Sequence, residues 1–514
     1  MGRKILFITT DQQRYDALGC NGGRFARTPV VDGLAAAGVN FRRAHNQNTV
    51  CMPARSTMVT GRHARSHGVV ANGIPLPGDA PSIAAWLHDR GGYRTALIGK
   101  AHFEPAFDLA GRWEENRLAG EGSTGPHRGF EHLELAMHGY FGLWHYDKWL
   151  EEHGPATGLD WRHAFYPLLN AERTALNAEG GGDTGAPECR YNILPPELYH
   201  TDWVAERTIS WLDSLSPDED WFCWMSFPDP HHPWDPPAEA ARRFDWRELP
   251  LPDGHPGSPE KIVEILSGKP HHWLDWYEGR FDNGEGGPAH FRPNEMTDDQ
   301  LREVNALIFA ENELIDEACG RVLDRVTARG WAEDTDVFYT TDHGELQGDF
   351  GLLFKGPYHV DALMRVPLVW RPAPSAGVTP AVIDDPVGHV DLAATFCSVA
   401  GVPAPGWSEG SPLPTAPGEG GRERVLTEWD SQFPHVGMHL RTITRDGWVC
   451  TAYEAGPLYE GTEGELYHLA EDPKQWVNLW SDPSHRAVRD DLVADLYASL
   501  PPAREPALTV EAPA

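Results

Sequence analysis

Five short runs of apolar, β-branched and aromatic residues constrain the fold of this chain more than any other feature. Such runs are typical of strands that are buried on both faces of a parallel sheet. Helical patterns lie between them, starting at Pro or Thr and ending near glycine. The runs are Lys4–Thr10, Arg94–Gly99, Trp221–Phe227, Asp336–Thr341 and Pro367–Trp370, and the helices are Pro29–Ala37, Pro81–Arg90 and Thr297–Arg329. This alternation predicts an α/β fold, with a large and mostly parallel sheet sandwiched by helices.

The last part of the chain has a different pattern. A Pro- and Gly-rich connector, Val402–Gly421, leads into four alternating segments and a closing helix near Arg486–Leu500. The four segments are Val425–Trp429, Arg441–Thr444, Trp448–Tyr453 and Glu465–Leu469. We therefore predict a catalytic domain over 1–420 and a smaller α+β subdomain with an antiparallel sheet over 421–514. Residues 103–200 and 233–296 read as long loops that wall a pocket, and the tail after Leu500 as disordered or as an arm between subunits.

Net charge and cysteine content limit the binding partners and the cellular compartment that we expect for this protein. The formal net charge is −33, which disfavours nucleic acid and anionic membranes as partners. No run approaches 18 apolar residues, and Met1 leads directly into a strand-like run, so neither a membrane span nor a secretory signal is expected. The seven cysteines are scattered and form no C-x-x-C pair, which argues against disulfides and zinc ribbons. We predict a cytoplasmic protein.

Polar residues follow four of the predicted strands. Ligands of open α/β sheets bind beyond the carboxyl ends of the strands, so these side chains are expected to converge. Any one of them alone is more often a turn or helix cap. They are Asp11 and Gln12, then Lys100 and His102, then His231 and His232, and finally Asp342 and His343. The oxygen-rich set Asp11, Gln12, Asp342 and His343 favours Ca²⁺, Mg²⁺ or Mn²⁺ over zinc.

Cys51 stands apart from the other cysteines because basic residues surround it. Pro53 is expected at the first position of a helix that runs to about Thr60, which places the thiol at the positive end of the helix dipole. Together with Arg55 and Lys100, that position predicts a lowered thiol pKa. A P-loop at Gly99-Lys100 is excluded, because Arg94 stands where the motif needs glycine and Ala101 replaces Ser or Thr.

Cys51-Met52-Pro53-Ala54-Arg55 resembles the C-x-P-x-R signature of the sulfatases in the alkaline phosphatase superfamily. The resemblance continues, in order, through Asp11-Gln12, Gly99-Lys100-Ala101-His102, Pro230-His231-His232-Pro233, Asp342-His343-Gly344-Glu345, Lys355 and the tail segment Glu465–Leu479. It therefore spans nearly the whole chain.

The resemblance implies an alkaline phosphatase-like fold and a sulfuric ester hydrolase. A formylglycine-generating enzyme would oxidise Cys51 to formylglycine, whose hydrate is the nucleophile. The resemblance further implies that Arg55 positions the hydrate, that Lys100, Lys355 and His231 bind the sulfate, that His231 or Lys355 protonates the leaving oxygen, and that His102 removes a proton so that sulfate is expelled. The implied metal ligands are Asp11, Gln12, position 51, Asp342 and His343, with Ca²⁺ expected first and Mn²⁺ as the alternative.

Two other functions remain open from the sequence. Ala71-Asn72-Gly73, with Asn72 toward the substrate oxyanion, also resembles phosphonate monoester hydrolases, although those carry Tyr and Thr in place of Lys100 and His102. A catalytically inactive sulfatase fold that binds carbohydrate would make use of the 20 tryptophans. We expect a small sulfate ester as the substrate, aryl, alkyl or sugar, and a homo-oligomer, dimer or tetramer, by resemblance to the hydrolase subgroup.

Overall fold

The structure is a computed structural model that describes residues 2–106, 108, 110–167, 181–281, 291–431 and 436–512. Its strands are β1 Lys4–Thr10, β2 Val39–Phe41, β3 Ala44–His45, β4 Arg94–Gly99, β5 His132–Leu135, β6 Trp221–Ser226, β7 Thr335–Thr341, β8 Leu368–Arg371, β9 Ala381–Ile383, β10 Val387–Gly388, β11 Val425–Asp430, β12 His439–Arg445, β13 Trp448–Tyr453 and β14 Gly464–His468. Its α-helices are α1 Pro29–Ala36, α2 Cys51–Thr60, α3 Ala64–His67, α4 Ile83–Gly91, α5 Glu114–Glu121, α6 His145–His153, α7 His200–Ser214, α8 Ala238–Ala241, α9 Pro259–Ser267, α10 His272–Tyr277, α11 Asp298–Ala328, α12 Asp361–Met364, α13 Leu392–Ala400 and α14 Arg486–Ser499.

An eight-stranded sheet in the order β5-β4-β6-β1-β7-β8-β2-β9 forms the centre of the molecule. The strands β5, β4, β6, β1 and β7 run parallel to one another. The predicted α/β architecture is thus confirmed. One predicted parallel strand, Pro367–Trp370, was wrong in direction, because β8 runs antiparallel to β7. The chain between β7 and β8 contains a 3-10 turn at Asp349–Gly351 and the short helix α12, and it returns from the edge at which β7 ended.

The two faces of the sheet are buried in separate cores, because successive side chains of a strand point to opposite faces. Ile5 and Phe7 of β1 belong to one core, which α4 and α13 cover. Leu6 and Ile8 belong to the other, which α7 and α11 cover. The layered sandwich follows directly from these uninterrupted apolar strands.

The long helix α11 begins where the sequence predicts. Thr297 Oγ1 accepts a hydrogen bond from the Gln300 backbone N–H at 3.2 Å, and the Gln300 side chain accepts one from Thr297 N at 2.9 Å. This reciprocal capping box satisfies two backbone donors at the helix start.

The regions 103–200 and 233–296, which we predicted as long structured loops, contain regular secondary structure. Their described residues contain β5 and the five helices α5, α6, α8, α9 and α10. Trp234, Trp273 and Trp276 pack in a third apolar core with Leu301 and Phe354. Aromatic packing without helical or strand periodicity explains why the sequence pattern suggested loops. Residues 107, 109, 168–180 and 282–290 of these regions lie outside the described part.

The C-terminal strands β11 to β14 form an antiparallel sheet, as predicted. Leu492 and Leu496 of α14 pack on its apolar face. The domain boundary near residue 420 stays a prediction. Residues 501–512 lie along the segment 65–73, where Arg504 N donates to Arg65 O and Glu511 N donates to Gly73 O. Among the described residues, no helix combines the length and apolarity needed to cross a bilayer.

Candidate active site

The carboxyl ends of four neighbouring strands bring the predicted polar residues to one edge. Thr10 at the end of β1 is in register with Thr341 at the end of β7. Ser226 at the end of β6 pairs with Thr9 on one side and with Gly99 of β4 on the other. The residues that follow these ends therefore meet in one buried pocket.

Cys51 lies at the centre of this pocket. Its Sγ is 3.7 Å from Asp11 Oδ1 and 3.1 Å from His343 Nε2. One ligand atom each from Asp11, Cys51, Asp342 and His343 lies within 4.8 Å of the other three. All four side chains are buried. Two carboxylates, an imidazole and the Cys51 position form a donor set that fits one divalent cation.

Helix α2 presents Cys51 at its first residue and begins two residues earlier than predicted. Val50 is the N-cap, so Pro53 is the third helical residue and not the first. Gly61 ends the helix in the left-handed conformation that glycine adopts without strain. Cys51 therefore has the expected place at the positive end of the helix.

The expected low pKa of the Cys51 thiol was wrong. Burial, with the nearby Asp11 carboxylate, raises the pKa of Cys51 to about 11, and Lys100 and Lys355 offset this only in part. A helix terminus favours the thiolate, but complete burial removes the water that would solvate it. The cysteine in this pocket is a neutral thiol.

Arg55 holds together the segments that form the pocket. It lies one turn after Cys51 on α2 and is completely buried. Its Nε donates to Asp342 Oδ2 at 2.8 Å, and its Nη2 lies 3.4 Å from Asp11 Oδ2. Its Nη1 donates to Lys100 O at 2.8 Å. The guanidinium thus joins α2 to the ends of β1, β4 and β7.

Two lysines bring further positive charge to the same place. Lys100 Nζ contacts Asp11 Oδ2, and Lys355 Nζ donates to Gln12 Oε1 at 2.6 Å. Although burial alone would raise it, Lys100 and Arg55 hold the pKa of Asp11 well below its ordinary value. The Asp11 carboxylate is therefore ionised, as a cation ligand must be.

His102 is the least satisfied polar group of the pocket. Both of its ring nitrogens are buried and have no hydrogen-bond partner within the described ranges. Burial, with Lys100 and Arg55 next to it, holds the pKa of His102 well below the ordinary value. Its backbone φ of 58° is in the left-handed region. A neutral imidazole with free nitrogens is able to accept a proton.

The stacked rings of His138, His231 and His232 line one side of the pocket. His231 stacks between His138 and His232, with ring centroids 3.9 Å and 4.2 Å apart. Lys355 Nζ lies 2.5 Å from His231 Nε2, and Lys100 Nζ lies 2.9 Å from His138 Nε2. His232 Nδ1 instead faces Glu188 Oε2 at 2.5 Å, on the side away from this cluster's lysines.

His138 is a candidate site residue that the sequence argument missed, and Glu345 was named only as part of the segment Asp342-His343-Gly344-Glu345, without a role. His138 follows β5, a strand of four residues that no apolar run marked. Glu345 accepts from Gln12 Nε2 and from the backbone N–H of Gln347 at 3.1 Å, and so orients the Gln12 carboxamide. A polar residue just beyond a short edge strand was the only signal available for His138.

Asn72 lies beside the start of α2. Its Oδ1 accepts a hydrogen bond from the backbone N–H of Met52 at 3.0 Å. The following residue, Gly73, has φ of 82°, and a Cβ there would lie 2.1 Å from Ala512 O. Asn72 thus supports the helix that carries Cys51.

A family model described as "Sulfatase" matches residues 3–111 and 142–402. The chain belongs to the sulfatase family and is a sulfatase. It is 26% identical over 509 residues to "Uncharacterized sulfatase YidJ" of Escherichia coli K12, a match that covers 98% of this chain and 88% of that protein.

Two further comparisons agree with this assignment. The chain is 25% identical over 495 residues to an "Arylsulfatase" of Clostridium perfringens, covering 95% of this chain and 92% of that protein. The crystal structure of the phosphonate monoester hydrolase of Agrobacterium radiobacter superposes with a TM-score of 0.74 at 24% identity, covering 96% of this chain and 95% of that one. The second likeness shows the shared fold.

Proposed function

We propose that the protein hydrolyses small sulfate esters with a nucleophile made from Cys51 by oxidation to formylglycine. The observation that carries this proposal is the position of Cys51, whose Sγ lies within 4 Å of both Asp11 and His343 in a pocket with two lysines and an arginine. A neutral, buried thiol is a poor nucleophile, which favours chemical conversion of this residue over its direct use.

Asp11, Gln12, Asp342 and His343 would hold one divalent ion beside position 51, Ca²⁺ first and Mn²⁺ as the alternative. When bound, such an ion lowers the pKa of an oxygen nucleophile and orients it. Arg55 holds Asp342 and the start of α2 in place by its two-sided contacts. The ion would compete with Lys355 for Gln12 Oε1, so Lys355 would then be available to the substrate.

Lys100 and Lys355 bind the sulfate oxygens in this proposal. The ammonium group of Lys100 contacts Asp11 and that of Lys355 contacts Gln12, and both would neutralise the charge that moves to the leaving oxygen. Burial and His138 next to it hold the pKa of His231 well below the ordinary value. His231 Nδ1 lies against the backbone oxygen of His232, which can only accept a hydrogen bond, so His231 Nε2 is the acceptor toward Lys355 Nζ. We therefore assign protonation of the leaving oxygen to Lys355, with His231 as its hydrogen-bond acceptor.

His102 would serve as the base that releases sulfate in the second half of the reaction. Its ring is neutral and its nitrogens have no partner among the described residues, so it can take a proton without first breaking a hydrogen bond. His138 receives a hydrogen bond from Lys100 and stacks on His231, so it would position both groups.

Phosphonate monoester hydrolysis is the second candidate function. The superposition on the Agrobacterium radiobacter enzyme and the pair of Asp11-Gln12 with Asp342-His343 favour it. Asn72 next to the start of α2 is common to both proposals. A homo-oligomer, maturation by a formylglycine-generating enzyme and a cytoplasmic location remain predictions.

The test is a panel of aryl sulfate, alkyl sulfate, sugar sulfate and aryl phosphonate esters, assayed with Ca²⁺ and with Mn²⁺. Mass spectrometry of the Cys51 peptide first establishes the fraction of aldehyde in each preparation. We expect kcat/KM to be highest for a sulfate ester and to scale with aldehyde content. A preference for phosphonate of about 100-fold or more would replace the sulfate assignment with the second candidate. Turnover that is independent of aldehyde content would exclude both.

A further inference from the structure

A second cluster of buried metal-type side chains lies beside the segment that follows β4. Glu104, Glu115 and His127 each present one ligand atom, and these atoms lie within 4.8 Å of one another. Glu104 comes two residues after His102, Glu115 is the second residue of α5, and His127 precedes β5. The three residues are only 7, 2 and 6% exposed. Three separate segments thus meet at one buried point.

The two carboxylates are held in place by the protein itself. Phe103 N donates to Glu115 Oε1 at 3.0 Å, and Glu115 N donates to Glu104 Oε2 at 2.9 Å. Arg128 Nη2 donates to the other oxygen of Glu104 at 3.0 Å. Arg128 thus balances the charge of Glu104, whereas Glu115 is paired, among the described residues, only with the His127 ring at 3.8 Å. Carboxylates fixed by backbone donors are typical of preorganised metal sites.

The His127 ring supplies an independent indication of a ligand. Its side chain is 5% exposed, and its Nε2 has no hydrogen-bond partner in the described part of the chain. Nε2 points at Glu115 Oε1 across 3.8 Å, which is too long for a hydrogen bond. Two backbone hydrogen bonds between His127 and Phe130, of 2.9 and 2.8 Å, fix the turn that carries the ring. The buried nitrogen thus faces two carboxylates across a gap.

We propose that Glu104, Glu115 and His127 form a structural site for a divalent transition-metal ion. One imidazole and two carboxylates suit Zn²⁺, with water as a fourth ligand, whereas Ca²⁺ and Mg²⁺ prefer oxygen ligands throughout. The ion ties the segment after β4 to α5 and to the turn before β5. It therefore steadies the segment that carries Lys100 and His102, and it shares no residue with the cluster around Cys51.

Zinc content separates this site from the catalytic cluster. The full-length chain is freed of metal, reconstituted with Zn²⁺, passed through gel filtration and analysed by inductively coupled plasma mass spectrometry. Asp342→Asn removes a ligand of the catalytic cluster, and the remaining zinc is then assigned to the proposed site. We expect about one zinc per chain in Asp342→Asn and none when His127→Gln is added. Equal zinc content in these two chains would overturn the proposal.

His132→Gln in the same background is the matched control. His132 is five residues away and bonds Glu134 at 2.9 Å, outside the proposed site. We expect it to keep its zinc, and we expect Zn²⁺ to raise the Tm of Asp342→Asn and of the control but not of the His127→Gln chain. Should His127→Gln fold poorly, the Asp342→Asn chain alone decides: a Tm that Zn²⁺ does not raise overturns the site. None of these readouts uses activity, so failure of the proposed function would not affect them.

Discussion

Two regions of the molecule bury a lysine against a carboxylate, with different surroundings. Lys100 Nζ contacts Asp11 at the carboxyl edge of the large sheet, and both side chains are fully buried. Lys269 Nζ lies 3.7 Å from Glu465 beside the C-terminal sheet, where both side chains are buried as well. The paired groups are chemically alike, so the difference lies in the neighbouring polar groups.

In the Lys269 region, both members of the ion pair have further hydrogen-bond partners. Lys269 Nζ donates to Tyr467 Oη at 2.5 Å and to Gln475 O at 2.7 Å, and it lies 4.5 Å from the centre of the Trp273 ring. Glu465 accepts a hydrogen bond from Trp273 Nε1 at 3.1 Å. This region joins the C-terminal sheet to α10 and offers no obvious place for a ligand.

In the Lys100 region, by contrast, one buried side chain lacks hydrogen-bond partners among the described residues. His102 has two unpartnered ring nitrogens, as judged over the described residues, and both Gln12 and His102 have left-handed backbones, with φ of 63° and 58°. Each such residue costs about 1–3 kcal/mol and persists only where the surrounding structure holds it. A buried ion pair whose neighbouring polar groups have hydrogen-bond partners thus maintains the fold. A buried ion pair whose neighbours lack such partners is able to bind a ligand.

Replacing one cysteine in each region should produce the largest difference between the two regions in turnover and in stability. Cys51→Ala removes the proposed nucleophile, so we expect aryl sulfate turnover to fall by about 10⁴-fold or more. Cys450→Ala, in the core of the C-terminal sheet, is expected to lower the free energy of unfolding by about 1 kcal/mol and to leave turnover per folded chain unchanged. Steady-state kinetics and urea unfolding check both. Turnover by Cys51→Ala close to that of the parent chain would contradict the comparison.

Exchanging each lysine for methionine tests the buried pairs directly. Lys100→Met should lower kcat by about 10²–10³-fold, while Arg55 still faces the Asp11 carboxylate. Lys269→Met leaves Glu465 buried without its cation and should cost about 3–5 kcal/mol of stability, with turnover per folded chain retained. The same kinetics and urea unfolding measure both variants. If Lys100→Met proved the more destabilising and Lys269→Met the less active, the assignment of the two regions would be reversed.

The pH dependence of stability tests the burial of Lys269 in the region beside the C-terminal sheet. Burial lowers the pKa of Lys269 from 10.5 to about 8, with Glu465 opposing the shift only in part. The unfolded chain then binds more protons than the folded one between these values, so stability rises with pH from about 8 to 10.5. We expect the stability difference between the parent chain and Lys269→Met to grow over this window and to be constant below it. A difference that shrinks with rising pH would exclude the burial effect.

The smallest expected effect concerns His138, which contacts both Lys100 and His231. His138→Phe keeps an aromatic ring against His231 but cannot accept the hydrogen bond from Lys100, so we expect kcat to fall by about tenfold at unchanged Tm. His138→Gln retains an acceptor and should recover part of the loss. Kinetics on aryl sulfate with both variants provide the measurement. Equal activity of the two variants would show that the Lys100 contact has no part in turnover.

The site could be predicted from the sequence where its residues follow strand ends. Asp11, Lys100 and Asp342 come directly after strands, and the register of the parallel strands brings them together. His138 could not be found in this way, because it follows a strand of only four residues and reaches the site by tertiary packing. The thiol of Cys51 was judged by its helix terminus alone, and complete burial decided its protonation.

The sequence by itself determined five of the buried strands of the large sheet, the antiparallel C-terminal sheet and the position of Cys51 among basic residues, because these features are local. Only the tertiary structure decided that β8 runs against β7, that the aromatic segments around Trp273 form a core of their own and that the Cys51 thiol is neutral. Direction, packing and pKa depend on which distant segments exclude water from one another, and no local pattern contains that information.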